Sequence, residues 1–179
     1  MGLTKMSTKV LIAGDTCGQF AKLMKAVGSA NAKAGPFDAC FCVGGFFGAD
    51  ARRELIPYLT GQAKVPVPTY FILGAEPEGE LPVALPEEGC ELCPNLTYLG
   101  RRGCREVEGC GGLTVAFLSG VHSAAEFSKP RPTPAEGDEM ALDRFYREVS
   151  RSLAFSRALA LALCVRACLY QSSSQTRLI

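Results

Sequence analysis

Histidine occurs once in this chain of 179 residues, at His122, and the formal net charge is only +1. A lone imidazole cannot form an acid–base pair with a second ring. A nearly neutral chain sets up no global field for a polyanion, so any nucleic-acid surface has to be a local patch. Residues 1–9 hold no apolar core of signal-peptide length, which makes the nucleus or cytosol the expected compartment. What is present is ordinary for one globular domain with a real core: 47% hydrophobic and 21% charged residues. The nine cysteines are odd in number. Several, such as Cys40 and Cys42, sit inside apolar runs, the pattern of buried free thiols rather than of a disulfide framework.

Residues 9–14 (KVLIAG) form a short apolar run with a Gly–Asp stop, the profile of a buried parallel strand. Residues 19–34 carry Phe20, Leu23, Met24 and Val27 at helical spacing, and Gly35–Pro36 ends that helix. A second strand is predicted over 37–43 and stops at Gly44–Gly45. A short helix follows over 51–59, and a third strand over 67–73 stops at Gly74–Ala75. Residues 77–91 are rich in Pro, Glu and Gly and read as a surface segment. Two more strands are predicted over 95–99 and 113–119, with 103–112 as a Gly/Cys-containing turn region between them. Residues 127–138 read as a Pro-rich linker. Residues 139–179 read as an Ala/Leu/Arg-rich helical tail, whose apolar stretch 153–169 contains Arg157 and Arg166 and is short for a membrane span. The order strand, helix, strand, helix, strand implies a parallel sheet with ligands outside the strands' carboxyl ends.

The loops at those ends hold few metal ligands. A two-metal phosphoesterase holds two cations about 3.5–4 Å apart with several hard ligands, one of them bridging. The usual pattern is Gly-Asp-x-His-Gly, then Gly-Asp-x-x-Asp, then Gly-Asn-His-Glu. Here the first loop is Gly14-Asp15-Thr16-Cys17-Gly18, the second Gly44-Gly45-Phe46-Phe47-Gly48, and the third Gly74-Ala75-Glu76-Pro77. The glycines and Asp15 are kept. Cys17 stands in the place of the first His, Gly45 in that of the bridging Asp, and Ala75 and Glu76 in that of the Asn-His pair. One carboxylate, with Glu76 as a second at most, cannot cage two divalent ions. No catalytic residue, metal or cofactor is therefore expected.

These loops, together with the stretches VLIAGDTCGQF, FDACFCVGGFFG, TYFILGAEPE, GCELCPNLTYLGRRG and LTVAFLSG, make residues 10–120 resemble the amino-terminal domain of the CwfJ family, the Cwf-nineteen-like splicing proteins. Pro94-Asn95-x-x-Tyr98-Leu99-Gly100 and Phe117-Leu118-Ser119-Gly120 are not generic phosphoesterase features. The resemblance implies an α/β fold of the calcineurin-like metallophosphoesterase type, incomplete, with a mostly parallel central sheet and helices on its faces. It implies a degenerate domain over residues 8–126, similar to the lariat-debranching phosphoesterase without its ligand set. It further implies a nuclear, non-catalytic role in mRNA splicing: partnership with spliceosomal proteins, and support or activation of the lariat debranching enzyme in intron-lariat turnover. The alternative is a weak metal-dependent phosphodiesterase acting on RNA through Asp15, Glu76 and His122. Full-length relatives continue into further strands and CwfJ domains, and beyond about Glu126 nothing in this chain matches them.

The other residues with chemistry have bland readings beside the sharp ones. Asp15 can cap the next helix or fix the turn instead of holding an ion. Cys90-x-x-Cys93 has zinc-ligand spacing, but Cys104 and Cys110 do not repeat it. Gly14-x-x-x-Gly18 lacks the third glycine of a dinucleotide loop. Arg101, Arg102 and Arg105, ahead of Arg52, Arg53 and Lys64, are the candidates for RNA or partner contact, since a guanidinium forks onto phosphate. Short arginine runs are also common on solvated faces.

Overall fold

Three short apolar runs, each stopped by glycine, lie side by side and build the sheet that everything else packs against. The computed structural model describes residues 8–74 and 85–129. In chain order the elements are β1 (Val10–Gly14), α1 (Phe20–Ala34), β2 (Ala39–Val43), α2 (Ala51–Leu59), β3 (Thr69–Phe71), β4 (Cys90–Cys93), β5 (Leu96–Tyr98), β6 (Arg102–Glu106), β7 (Thr114–Leu118) and the one-turn α3 (Ala124–Phe127). The larger sheet runs β1-β2-β3-β5-β4. Its first four strands in that order are parallel, and β4 closes the far edge antiparallel to β5. β6 and β7 pair antiparallel as a separate two-stranded sheet. The α/β class and the mostly parallel sheet agree with the sequence pattern.

Strand alternation gives the sheet two faces of different character. Cys40, Cys42 and Phe71 point to the side where α1 places Phe20, Met24 and Val27 and α2 places Leu55 and Tyr58, and these side chains form the main core. Five aromatic rings dominate it. Phe46 stacks on Phe71 with centroids 3.8 Å apart, and Phe20, Phe47 and Tyr98 surround that pair. Ala39, Phe41 and Tyr70 point the other way and meet Val107, Cys110, Leu113 and Val115 of the hairpin. Both α1 and α2 thus lie on one face, and the opposite face is covered by β6–β7 where the sequence reading put helices on both faces. α1 ends because Asn31 turns back on the chain: its carbonyl accepts the Gly35 N–H, and its Oδ1 accepts the Phe37 N–H at 2.8 Å.

Two stretches differ from the sequence reading. The start of the predicted turn region is strand β6, although Gly103 breaks its apolar pattern. The Phe117 ring lies over Gly103 from the partner strand and occupies the space a side chain would have filled. The expected surface segment 77–91 ends in a buried Leu85 and the start of β4, and residues 75–84 lie outside the described residues. The linker beyond residue 129 and the tail over 139–179 also lie outside them. No helix of the described residues is long and apolar enough to cross a membrane.

Phe71 is fully buried at the centre of the ring cluster, so Phe71→Ala removes the stacking partner of Phe46 and leaves a void. We expect a loss of about 3–5 kcal/mol, read as a lower urea midpoint with an unchanged slope.

Candidate functional site

The carboxyl ends of β1, β2 and β3 meet backbone against backbone. Beyond the strands the β1–β2 pairing continues through the loops: Asp15 N–H donates to the Val43 carbonyl at 3.0 Å, Cys17 N–H to that of Gly45 at 3.0 Å, and Gly18 N–H to that of Phe46 at 2.9 Å. Asp15 adds a side-chain bond, its Oδ1 accepting the Gly45 N–H at 2.9 Å. Glycine is required by this closeness. A Cβ on Gly44, where φ is +83°, would run into Asp15 Oδ1, one on Gly48 into the Cys17 carbonyl, and one on Gly74 into the Gly44 backbone. Asp15 and Cys17 themselves hold positive φ, at 37° and 46°, a costly conformation for residues with a Cβ.

Asp15 and Cys17 are exposed at these strand ends, and Gly45 is buried. Phe46 and Phe47 turn down into the aromatic core directly after it. The position expected to bridge two ions thus offers only backbone. Ala75 and Glu76, the third-loop candidates, lie outside the described residues. Among the described residues, no three His, Cys, Asp or Glu side chains come together as a ligand set.

Beneath the first loop, Cys40 and Cys42 are buried neighbours on one face of β2. The neighbouring Cys40 side chain, then burial, push the Cys42 thiol far above the ordinary thiol range. Burial also raises Cys90, Cys93 and Cys110. Burial thus disfavours the thiolate at Cys42, Cys90, Cys93 and Cys110. The seven described cysteines are free thiols. Cys90 and Cys93 belong to β4, Cys104 is exposed on β6, and Cys110 is buried with Ala39 and Val107, so the suspected zinc pairs are not one cluster.

The candidate arginines divide between two faces. In β6, Gly103 and Arg105 share the side facing the larger sheet, and Arg105 Nη2 donates to the Glu88 carbonyl at 2.7 Å. Arg102 lies on the outer side with Cys104 and is exposed, while Arg101 is half-buried in the preceding bend. His122 is exposed after β7, its ring 5.6 Å from that of Phe127.

Sequence reasoning placed Ser119 at a strand end and in a signature but missed its work. Its buried Oγ accepts the Leu73 N–H at 3.2 Å and donates to the Gly100 carbonyl at 2.7 Å. Gly120 N–H reaches the Leu73 carbonyl at 2.8 Å. One hydroxyl thereby pins the exit of β7 beside the exit of β3. A small polar residue at the end of an apolar strand was the available signal.

Two expectations follow from this geometry. Asp15→Ala strips the Gly45 N–H of its acceptor and should cost about 1–3 kcal/mol, whereas Asp15→Asn keeps an acceptor oxygen and should retain most of the stability in urea melts. Alkylation of the native protein followed by peptide mass mapping should label Cys17 and Cys104 first, and Cys40, Cys42, Cys93 and Cys110 only after unfolding.

No family model matches the chain. Curated relatives do. A CWF19-like protein 1 homolog of Drosophila melanogaster is 43% identical over 117 residues, 65% of this chain and 21% of the relative. The CWF19-like protein 1 of Mus musculus is 40% identical over 127 residues, 71% of this chain and 22% of its own length. A protein of Arabidopsis thaliana named zinc finger CCCH domain-containing protein 64 is 36% identical over 137 residues, 69% of this chain and 22% of that protein. The chain spans about a fifth of the length of these relatives. Shared identity at this level over about two-thirds of the chain makes it a member of the CwfJ, or Cwf19-like, family.

Proposed function

We propose that the described domain is a calcineurin-like phosphoesterase fold that has given up catalysis and works by recognition, as a nuclear module of mRNA splicing that supports the lariat debranching enzyme in intron-lariat turnover. The observation that carries the first half is the use of Asp15: the acidic side chain kept in the first loop is an acceptor for the Gly45 N–H. The second loop supplies glycine and two core phenylalanines where a bridging carboxylate would be needed. Support for the second half is family membership through relatives named for CWF19.

The reading is tested on purified protein loaded with manganese. Metal analysis should find well under one ion per chain, and hydrolysis of a generic phosphodiester should not exceed that of Asp15→Ala. Two bound ions, or turnover abolished by Asp15→Ala, would establish the phosphodiesterase alternative instead. The partner half is read by adding the protein to the debranching enzyme with a branched RNA substrate, where faster debranching is expected and no effect would reject the supporting role. If RNA is touched directly, the outward Arg102 is the contact. Arg102→Glu should then weaken RNA binding alike across sequences and reduce the salt dependence by about one phosphate contact, with Arg105→Gln much less affected because that side chain faces inward.

A further inference from the structure

The helical side of the sheet carries a surface that folding does not use. On α1, Lys22, Lys25, Ser29 and Lys33 are exposed and lie opposite the buried Phe20, Met24 and Val27. That helix holds no carboxylate. α2 contacts α1 on the same face of the sheet and adds the exposed Arg52 and Arg53, with Lys64 exposed beyond its end. Against these cations α2 and its N-cap bring Asp50 and Glu54, and Glu54 is half-buried. Among the described residues none of these lysines and arginines forms an ion pair, and Lys22 Nζ reaches the neutral Gln19 Oε1 at 3.4 Å. Carboxylates collect elsewhere: Glu87, Glu88, Glu91, Glu106 and Glu108 lie on or beside β4 and β6. The domain thus has a basic side within a nearly neutral chain.

That side also has an apolar ridge. Two of the large hydrophobic side chains exposed on the domain, Ile56 at 46% and Leu59 at 39%, belong to α2. With Arg52 they follow one another at i, i+4 and i+7, so a guanidinium and two aliphatic groups align along one helix, with Arg53 beside them. Neither helix exposes an aromatic ring, because Phe20 and Tyr58 are buried. Single-stranded RNA is held by phosphate contacts together with rings on which its bases stack, and here the charge comes without the rings. An acidic protein segment matches both features, offering carboxylates to the guanidinium forks and aliphatic side chains to the ridge. We propose that α1 and α2 dock an acidic, amphipathic segment of a protein partner. Ile56 and Leu59 make its apolar contact, and Arg52, Arg53, Lys22 and Lys25 make its charge contacts. The inference rests on the reading of this domain as a recognition module, and it puts the protein partner on the side of the sheet opposite the hairpin that carries Arg102.

Selection from a library of random peptides, each long enough for several helical turns, tests this on the full chain. Enriched sequences should be rich in Asp and Glu and carry Leu, Ile or Phe at helical spacing. A synthetic copy of one should bind about tenfold more weakly to Arg52→Glu/Arg53→Glu, and to Ile56→Ser/Leu59→Ser, than to the unaltered chain. Neither variant should lower the urea midpoint much, since the altered side chains lie outside the core. A selected pool with no acidic bias, or binding indifferent to both variants, overturns the proposal. Oligouridine binding that Arg52→Glu/Arg53→Glu weakens and Ile56→Ser/Leu59→Ser leaves unchanged overturns it too, because the occupant would then be a nucleic acid. Failure here is separable from failure of the supporting role: the peptide measurements contain no debranching enzyme, and the debranching assay uses the unaltered chain.

Discussion

The constraint on which the strand ends depend is the closeness of three backbones. Gly44, Gly48 and Gly74 let the loops after β1, β2 and β3 approach until a single methyl group would collide with neighbouring main chain or with Asp15. At that distance Asp15 Oδ1 lies within hydrogen-bonding reach of the Gly45 N–H, and the loop amides extend the β1–β2 ladder past the strands. A catalytic crevice needs the opposite property, loops held apart by side chains that converge on an ion or a substrate. The glycines here serve loops that close on one another.

The core below reinforces that closure. Phe46 and Phe47 follow Gly45 immediately, and both rings are buried against Phe20, Phe71 and Tyr98. Burying rings of this size contributes more to stability than one exposed carboxylate could. Anchoring the second loop by two phenylalanines also fixes the main chain of Gly45, which keeps its N–H aimed at Asp15. Ser119 does for the β3 and β7 exits what Asp15 does for β1 and β2, with a neutral hydroxyl in a buried setting. The pair divides the rim into two clamps, one ionisable and exposed, one neutral and enclosed.

Much of this was legible in the residues. The runs VLIAG, ACFCV and TYF declare strands by apolar content and glycine stops, and Phe20, Met24 and Val27 declare the buried face of α1. That Cys17 and Gly45 stand where the two-metal pattern has His and Asp is visible without coordinates. Strand β6 was hidden because Gly103 and the nearby glycines signal a turn, and only the ring of Phe117, far along the chain, makes a strand glycine tolerable there. The placing of α1 and α2 on one face is equally non-local, since it depends on the β6–β7 hairpin occupying the other. The two roles of Ser119 oxygen depend on partners 46 and 19 residues away, which no local pattern encodes.

Exposure at β1 ties the two faces of the sheet into one account. On the helix side, Leu11 and Ala13 pack against the main core, so β1 is held firmly although, among the described residues, it pairs on one edge only. On the hairpin side the fully buried cluster is just Ala39, Val107 and Cys110, and it stops one strand short of the edge. Among the described residues the sheet therefore has one fully covered face and one partly covered face. The covered face fixes the strand-end loops, while the other leaves Val10, Ile12 and the outer edge of β7 without cover among the described residues.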